Sequence, residues 1–118
     1  MIKTVKDLEV YNQSYQLAMD IFKISKSFPI EEKFSLTDQV RRSSRSVTVN
    51  ISEGWGRRVY EQLFKKQLID SLGSLEETKT WLNFARDCGY ISDVTFSSFN
   101  DNLDNLGSKI YKLYENWK

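Results

Sequence analysis

The sequence predicts an all-α fold, an up-down-up-down four-helix bundle in one domain spanning residues 1–118. Three observations carry this. Four separate stretches repeat their apolar residues at the helical period, stop signals stand between them, and no stretch alternates long enough to make a strand. Loops of about 3 to 8 residues then force consecutive helices to run antiparallel.

The first helix is predicted over residues 8–27. Leu8, Tyr11, Tyr15, Ala18 and Phe22 form one stripe, and Leu17, Ile21, Ile24 and Phe28 a second beside it. Two adjoining stripes predict burial over much of the circumference. Pro29 stops the helix.

The second helix is predicted over 35–54. Ser35 and Asp38 have the spacing of a capping box. Leu36, Val40, Val47 and Ile51 share one face, with Gly54 and Gly56 as the end. The third is predicted over 60–88, with Phe64, Leu68, Leu72, Leu75, Leu82 and Ala85 on its core face and Gly89 just past its end. The fourth, 92–117, has the clearest period. Phe96, Phe99, Leu103, Leu106, Ile110, Leu113 and Trp117 alternate spacings of three and four, and Ser92 stands ready as N-cap.

Composition narrows the function. The chain is 40% apolar and 28% charged, with one proline and five glycines, which fits a globular domain rather than a disordered one. No apolar run nears the roughly 18 residues of a membrane span, and the start lacks the apolar stretch of a secretory signal. A cytoplasmic protein with no membrane role is expected, and the lone Cys88 agrees. No histidine is present, so His-based triads and His-ligated metals are excluded. "GWGRR" has no Walker lysine. A non-enzyme without cofactor or metal is the expectation.

The net charge is +1, but it is unevenly spread. Residues 33–66 hold eight Lys or Arg against Asp38, Glu53 and Glu61, whereas residues 67–118 hold five against eight acids. Five of the six arginines, Arg41, Arg42, Arg45, Arg57 and Arg58, fall in "QVRRSSRSVTVNISEGWGRR", residues 39–58. On a helical projection Arg41, Arg45, Thr48 and Ser52 lie together, opposite the core stripe. Like charges at i and i+4 repel, and arginine suits bidentate phosphate contacts. Two readings stand. One is a nucleic-acid-binding face of Arg41, Arg42, Arg45, Arg57 and Arg58, with Trp55 as a stacking surface and Lys65 and Lys66 adding to the field. The other is a protein-interaction scaffold whose arginines meet acidic surfaces, including the acidic half of a neighbouring copy.

Two further features need an explanation. Asn50 at the core edge, with Glu53 and Gly54, reads as a register-fixing polar bond between helices rather than half of an active site. Leu63 and Trp81 share an azimuth well off the core of helix 3, with Phe84 beside them. That is either a groove edge or a subunit interface.

The ordered motifs resemble a known family. "DLEVYNQSYQLAMDIFKISKSFPIEEKFSLTDQVRRSSRSV", "NISEGWGRR" and "LIDSLGSLEETKTWLNFARDCGYI", over roughly residues 6–91, resemble the four-helix-bundle proteins encoded in intervening sequences of bacterial 23S ribosomal RNA genes. The resemblance implies a left-handed bundle, a homo-oligomeric ring of five and a link to nucleic acid. A related branch resembles the accessory proteins of diversity-generating retroelements, which implies RNA and a reverse transcriptase as partners. It implies no catalytic activity. Arg41, Arg42, Asn50, Glu53, Gly54 and Arg57 match the family's motif positions. Ser43, Ser44, Arg45 and Thr48 make the stretch after the paired arginines more polar than in many members.

Overall fold

The computed structural model describes residues 1–117, and its four helices are those the periodicity predicts. They are α1 (Glu9–Ser25), α2 (Leu36–Gly56), α3 (Glu61–Asp87) and α4 (Asp93–Asn116), with single 3₁₀ turns at Val5–Asp7 and Ile30–Glu32. Neighbours in sequence are neighbours in space. α1 packs on α2, α2 on α3, α3 on α4, and α4 closes on α1, while the diagonal pairs stay apart. α3, with 27 residues, is roughly 40 Å long at 1.5 Å per residue, which sets the 44 Å long axis. Among the described residues no helix is long and apolar enough to cross a membrane.

The core runs the length of the bundle. Ile21, Val40, Ile51, Phe64, Leu68, Ala85 and Ile110 are wholly buried, with Val47, Leu75, Leu82, Leu103 and Leu106 almost so. At one end Trp117 packs edge-on against Phe64, centroids 4.6 Å apart, and against Trp55 at 6.2 Å.

Two helix ends behave as read from the sequence. The Ser92 hydroxyl accepts from the Thr95 N–H at 3.1 Å, and Gly89 has φ +78°. Gly89 donates to Arg86 and Tyr90 donates to Ala85, at 2.9 and 2.8 Å. That pair of bonds is a Schellman ending, which needs a left-handed residue at the glycine position.

The start of α2 differs from the expected capping box. Asp38 turns to Arg42 at 3.6 Å. The Ser35 hydroxyl instead donates to Glu32, whose carboxylate also accepts the Leu36 N–H at 3.4 Å and the Tyr90 hydroxyl at 2.8 Å. A carboxylate from the preceding turn therefore occupies the helix N-terminus, where negative charge is favoured.

The end of α2 is a second correction. Gly54 does not terminate the helix but lies inside it, buried. A Cβ there would stand 2.8 Å from Gln67 Cβ and 2.9 Å from Phe64 Cδ1. The glycine lets α2 and α3 approach until their side chains touch backbone. Small residues continue this approach along the helix. Ser43, Ser44 and Thr48 are buried, so Thr48 does not face away from the core as the projection predicts. The Thr48 hydroxyl donates to Ser14 of α1 at 2.9 Å. On the α3 side, Thr78 donates to Ser43 at 2.9 Å and Ser71 donates to the Val47 carbonyl at 2.8 Å. α2 is covered on two flanks, not one.

These contacts predict opposite outcomes at two glycines. Gly54→Ala is expected to cost about 1–3 kcal/mol, the usual penalty of overpacking, because Gln67 Cβ and the Phe64 ring both have to shift. Gly73→Ala has open space around it and a helical backbone, and should stabilise by about 0.5–1 kcal/mol. Urea denaturation of the two variants measures both, and a destabilised Gly73→Ala beside a neutral Gly54→Ala would contradict the close-approach argument.

Candidate nucleic-acid interface

The five arginines of the central stretch do not form one site within a subunit. Arg41 and Arg45 point to the α1–α2 seam. Their guanidinium carbons lie 4.7 and 5.5 Å from the centroid of the Phe22 ring. Lys26 Nζ, one turn beyond Phe22 on α1, lies 4.9 Å from the same ring. Arg41 Nε donates to the buried Ser25 hydroxyl at 2.7 Å, which fixes its stem. Among the described residues none of these three cations is in an ion pair. The ring face offsets about 0.5–1 kcal/mol per exposed cation, against mutual repulsion that an anion would relieve.

A shallow cleft of about 240 Å³ adjoins this cluster at the end of α1. Lys26, Lys33 and Arg41 line it together with Ser25, Pro29 and Thr37. Sequence reasoning missed Phe22, Lys26 and Lys33 as members of the site. The signal for Lys26 was present, since Phe22 and Lys26 are four apart on α1 and so share its surface.

The other arginines are engaged elsewhere. Arg42 pairs with Asp38 on a separate side of α2. Arg57 and Arg58 lie some 16 residues from Arg41, roughly 24 Å along the helix. Arg57 donates to Gln67 Oε1 at 2.9 Å and sits 3.9 Å from Glu53. Arg58 donates to the Trp55 carbonyl at 2.8 Å and covers the Trp55 ring, 3.9 Å from its centroid. Trp55 is itself buried. Its expected role as a stacking surface for bases is therefore corrected, because Arg58 covers one ring face and Trp117 packs nearby in the bundle end.

Asn50 does what the register reading expects. Its amide nitrogen donates to the Ser46 carbonyl at 2.9 Å, and its oxygen accepts from Gln67 at 2.8 Å. Ser46 bonds Ser74 at 2.8 Å. A polar ladder from Ser74 to Arg57 thus ties α2 to α3, with Gly54 beside it. Glu53 is at its edge.

Of the off-core residues on α3, Trp81 and Phe84 pair at 5.8 Å and line a groove with Phe34, Leu36, Gln39 and Cys88. Leu63 is exposed on the same helix, but 18 residues from Trp81 places it roughly 27 Å away. Leu63 neighbours the exposed Val59 and Tyr60 in sequence instead.

Glu32, Tyr90 and Lys79 have shifted pKa values. Hydrogen bonds from Ser35, then Tyr90, hold Glu32 below the usual carboxylate range. The same bond pushes the Tyr90 hydroxyl up to about 12. Asp104 raises Lys79, which it meets at 2.6 Å. Among the described residues no Asp, Glu, Lys or Arg is buried, and no group of three or more His, Cys, Asp or Glu could hold a metal ion.

The sequence model of the 23S rRNA-intervening sequence proteins matches residues 6–112. The chain belongs to that family. A crystal structure of a protein of unknown function from the S23 ribosomal protein family of Bacteroides thetaiotaomicron superposes with a TM-score of 0.82 over 91% of this chain and 96% of that one. Its sequence is 24% identical, and the likeness carries the fold. No curated protein matches the chain. In this member of the 23S rRNA-intervening sequence family, Asn50, Gly54 and Arg57 are accounted for by the α2–α3 ladder. Arg41 belongs to the cation cluster instead.

The ladder can be tested on its own. Gln67→Leu strands the Asn50 oxygen and should cost about 1–3 kcal/mol. A double-mutant cycle with Asn50→Leu should give a coupling of at least ~0.5 kcal/mol. Strict additivity in urea denaturation would show that the bond carries no energy.

Proposed function

We propose that the protein is a non-catalytic homo-oligomer that associates with RNA through the α1–α2 seam. The observation that carries this is the convergence of Lys26, Arg41 and Arg45 on Phe22 without a carboxylate partner among the described residues. A purely structural charge cluster of this kind would be expected to contain its own counterions. Guanidinium groups match phosphate oxygens. Membership of the family is consistent with a nucleic-acid partner. Phosphate contacts fix position without reading sequence, so binding has little base preference.

Assembly is the second half of the proposal. Phe34 is 86% exposed and Phe84 52% exposed, beside Trp81. Apolar rings left this open usually meet another surface. Assembly into the ring of five implied by the family resemblance would repeat the cation cluster and turn weak contacts into avidity. A scaffold that binds protein alone is the competing reading, and the same rings would serve it.

RNA binding at several salt concentrations separates the two. Wild-type affinity should fall with salt, with a log–log slope of roughly −0.7 per phosphate neutralised on single strands. Arg41→Ala with Arg45→Ala should weaken binding and flatten the slope by about 0.7 for each phosphate that is no longer neutralised. Arg57→Ala with Arg58→Ala should leave the slope alone. An unchanged slope in the first double variant would remove these arginines from the site, and absence of binding by the wild type would support the scaffold.

Light scattering after gel filtration tests assembly. A mass several times 13.9 kDa is expected, reduced in Trp81→Ala with Phe84→Ala. A wild-type mass of one chain would refute the oligomer, and an undiminished mass in the variant would move the seam elsewhere.

A further inference from the structure

The α1–α2 seam continues past the cations. Toward the start of α1, Tyr15, Ala18 and Met19 face Thr48 and Val49 across the seam, and Arg45 also lines the resulting slot of about 250 Å³. Tyr15, Met19 and Val49 are 54%, 39% and 51% exposed, so the walls are apolar yet open to water. Tyr11 braces the Tyr15 ring, with centroids 6.1 Å apart and planes at 44°. The Thr48 hydroxyl is already committed to Ser14. Arg45 is the slot's one charged residue, and it is also part of the cluster over Phe22.

An open apolar slot lined by an aromatic ring, sharing an arginine with a cluster of unpaired cations, suits a ligand with the same two parts side by side. It needs a flat π-surface followed at once by a negative charge. A nucleotide within a strand has that arrangement. We propose that the Tyr15–Met19–Val49 slot takes one unstacked nucleobase of a single-stranded RNA, whose adjoining phosphate rests on Arg45 and Arg41. This deepens the RNA reading above and rests on it.

Two properties follow from the lining. The slot is smaller than the roughly 300–1,000 Å³ of small-molecule pockets, which fits one ring system at a time. Its occupant must be splayed out of any helix, and bases in duplex RNA are paired and stacked out of reach of such a slot. The site therefore selects single strands over duplexes. It selects little among bases, because stacking on an aromatic wall tolerates all of them.

The test compares three RNAs at one salt concentration by fluorescence anisotropy: a single strand, an abasic strand of equal length, and a duplex. The wild type should bind the intact strand roughly five- to 150-fold more tightly than the abasic strand, the range for one base on an aromatic side chain. The duplex should also bind more weakly than the single strand. Tyr15→Ala with Val49→Ser, both at exposed positions, should lose the preference for intact over abasic RNA and keep the wild-type salt slope, since Lys26, Arg41 and Arg45 remain. Equal, salt-dependent affinity of the wild type for intact and abasic strands would overturn the base slot and leave the phosphate reading standing. Binding to none of the three RNAs would overturn both. If the variant keeps the base preference but loses assembly mass in light scattering, the slot is a contact between copies and the inference is wrong.

Discussion

Close contact of α2 with both α1 and α3 determines where the arginines of α2 emerge. Gly54 has no room for a Cβ against Gln67 and Phe64, and Ser43, Ser44 and Thr48 are small enough to be buried on the flanks. With two flanks occupied, long side chains on α2 can emerge only along narrow strips. Arg41 and Arg45 emerge at the α1 seam, whereas Arg42 emerges elsewhere and meets Asp38. The clustering of charge on α1–α2 is a consequence of helix packing.

The polar groups in these contacts specify register more than they add stability. Each buried hydroxyl bond exchanges water for a protein partner at a net gain of only about 0.5–1.5 kcal/mol, but leaving one unmade costs more. Thr78 on Ser43, Thr48 on Ser14 and Gln67 on Asn50 are all satisfied in one alignment of the helices. A slide by one turn would strand several of them. That alignment is also the one that brings Lys26 of α1 level with Arg41 of α2, around Phe22.

The four helices were legible because apolar period and stop signals are local properties, and the ends at Ser92 and Gly89 depend on neighbours within a few residues. The surroundings of α2 were not fully legible, because a projection that counts only apolar residues leaves Ser43 and Ser44 out of the core stripe and places Thr48 on the opposite side. Their burial depends on small residues of other helices, Ser14, Ser71 and Thr78, which no period on α2 announces. The capping of α2 was misread for a different reason: Glu32 of the preceding turn, only three residues before Ser35, takes the place of Asp38, and the bond from Tyr90 that helps hold it there comes from 58 residues away. The double apolar stripe of α1 marked a real feature, but Tyr15 and Phe22 of its first stripe line the outer seam instead of the core. Of the candidate site, Arg41 and Arg45 were readable as a pair at i and i+4. Lys26 and Phe22 required knowing which face of α1 lies beside them.

The central claim is that the face presented to RNA is the α1–α2 seam. Acylation of lysines in the presence and absence of RNA, read by mass spectrometry, addresses it most directly. Lys26, beside Phe22 at the seam, should become protected when RNA is bound, and Lys79, paired with Asp104 on the α3–α4 side, should react at an unchanged rate. Equal reactivity of Lys26 with and without bound RNA, together with protection of Lys65 and Lys66 on α3, would contradict the account.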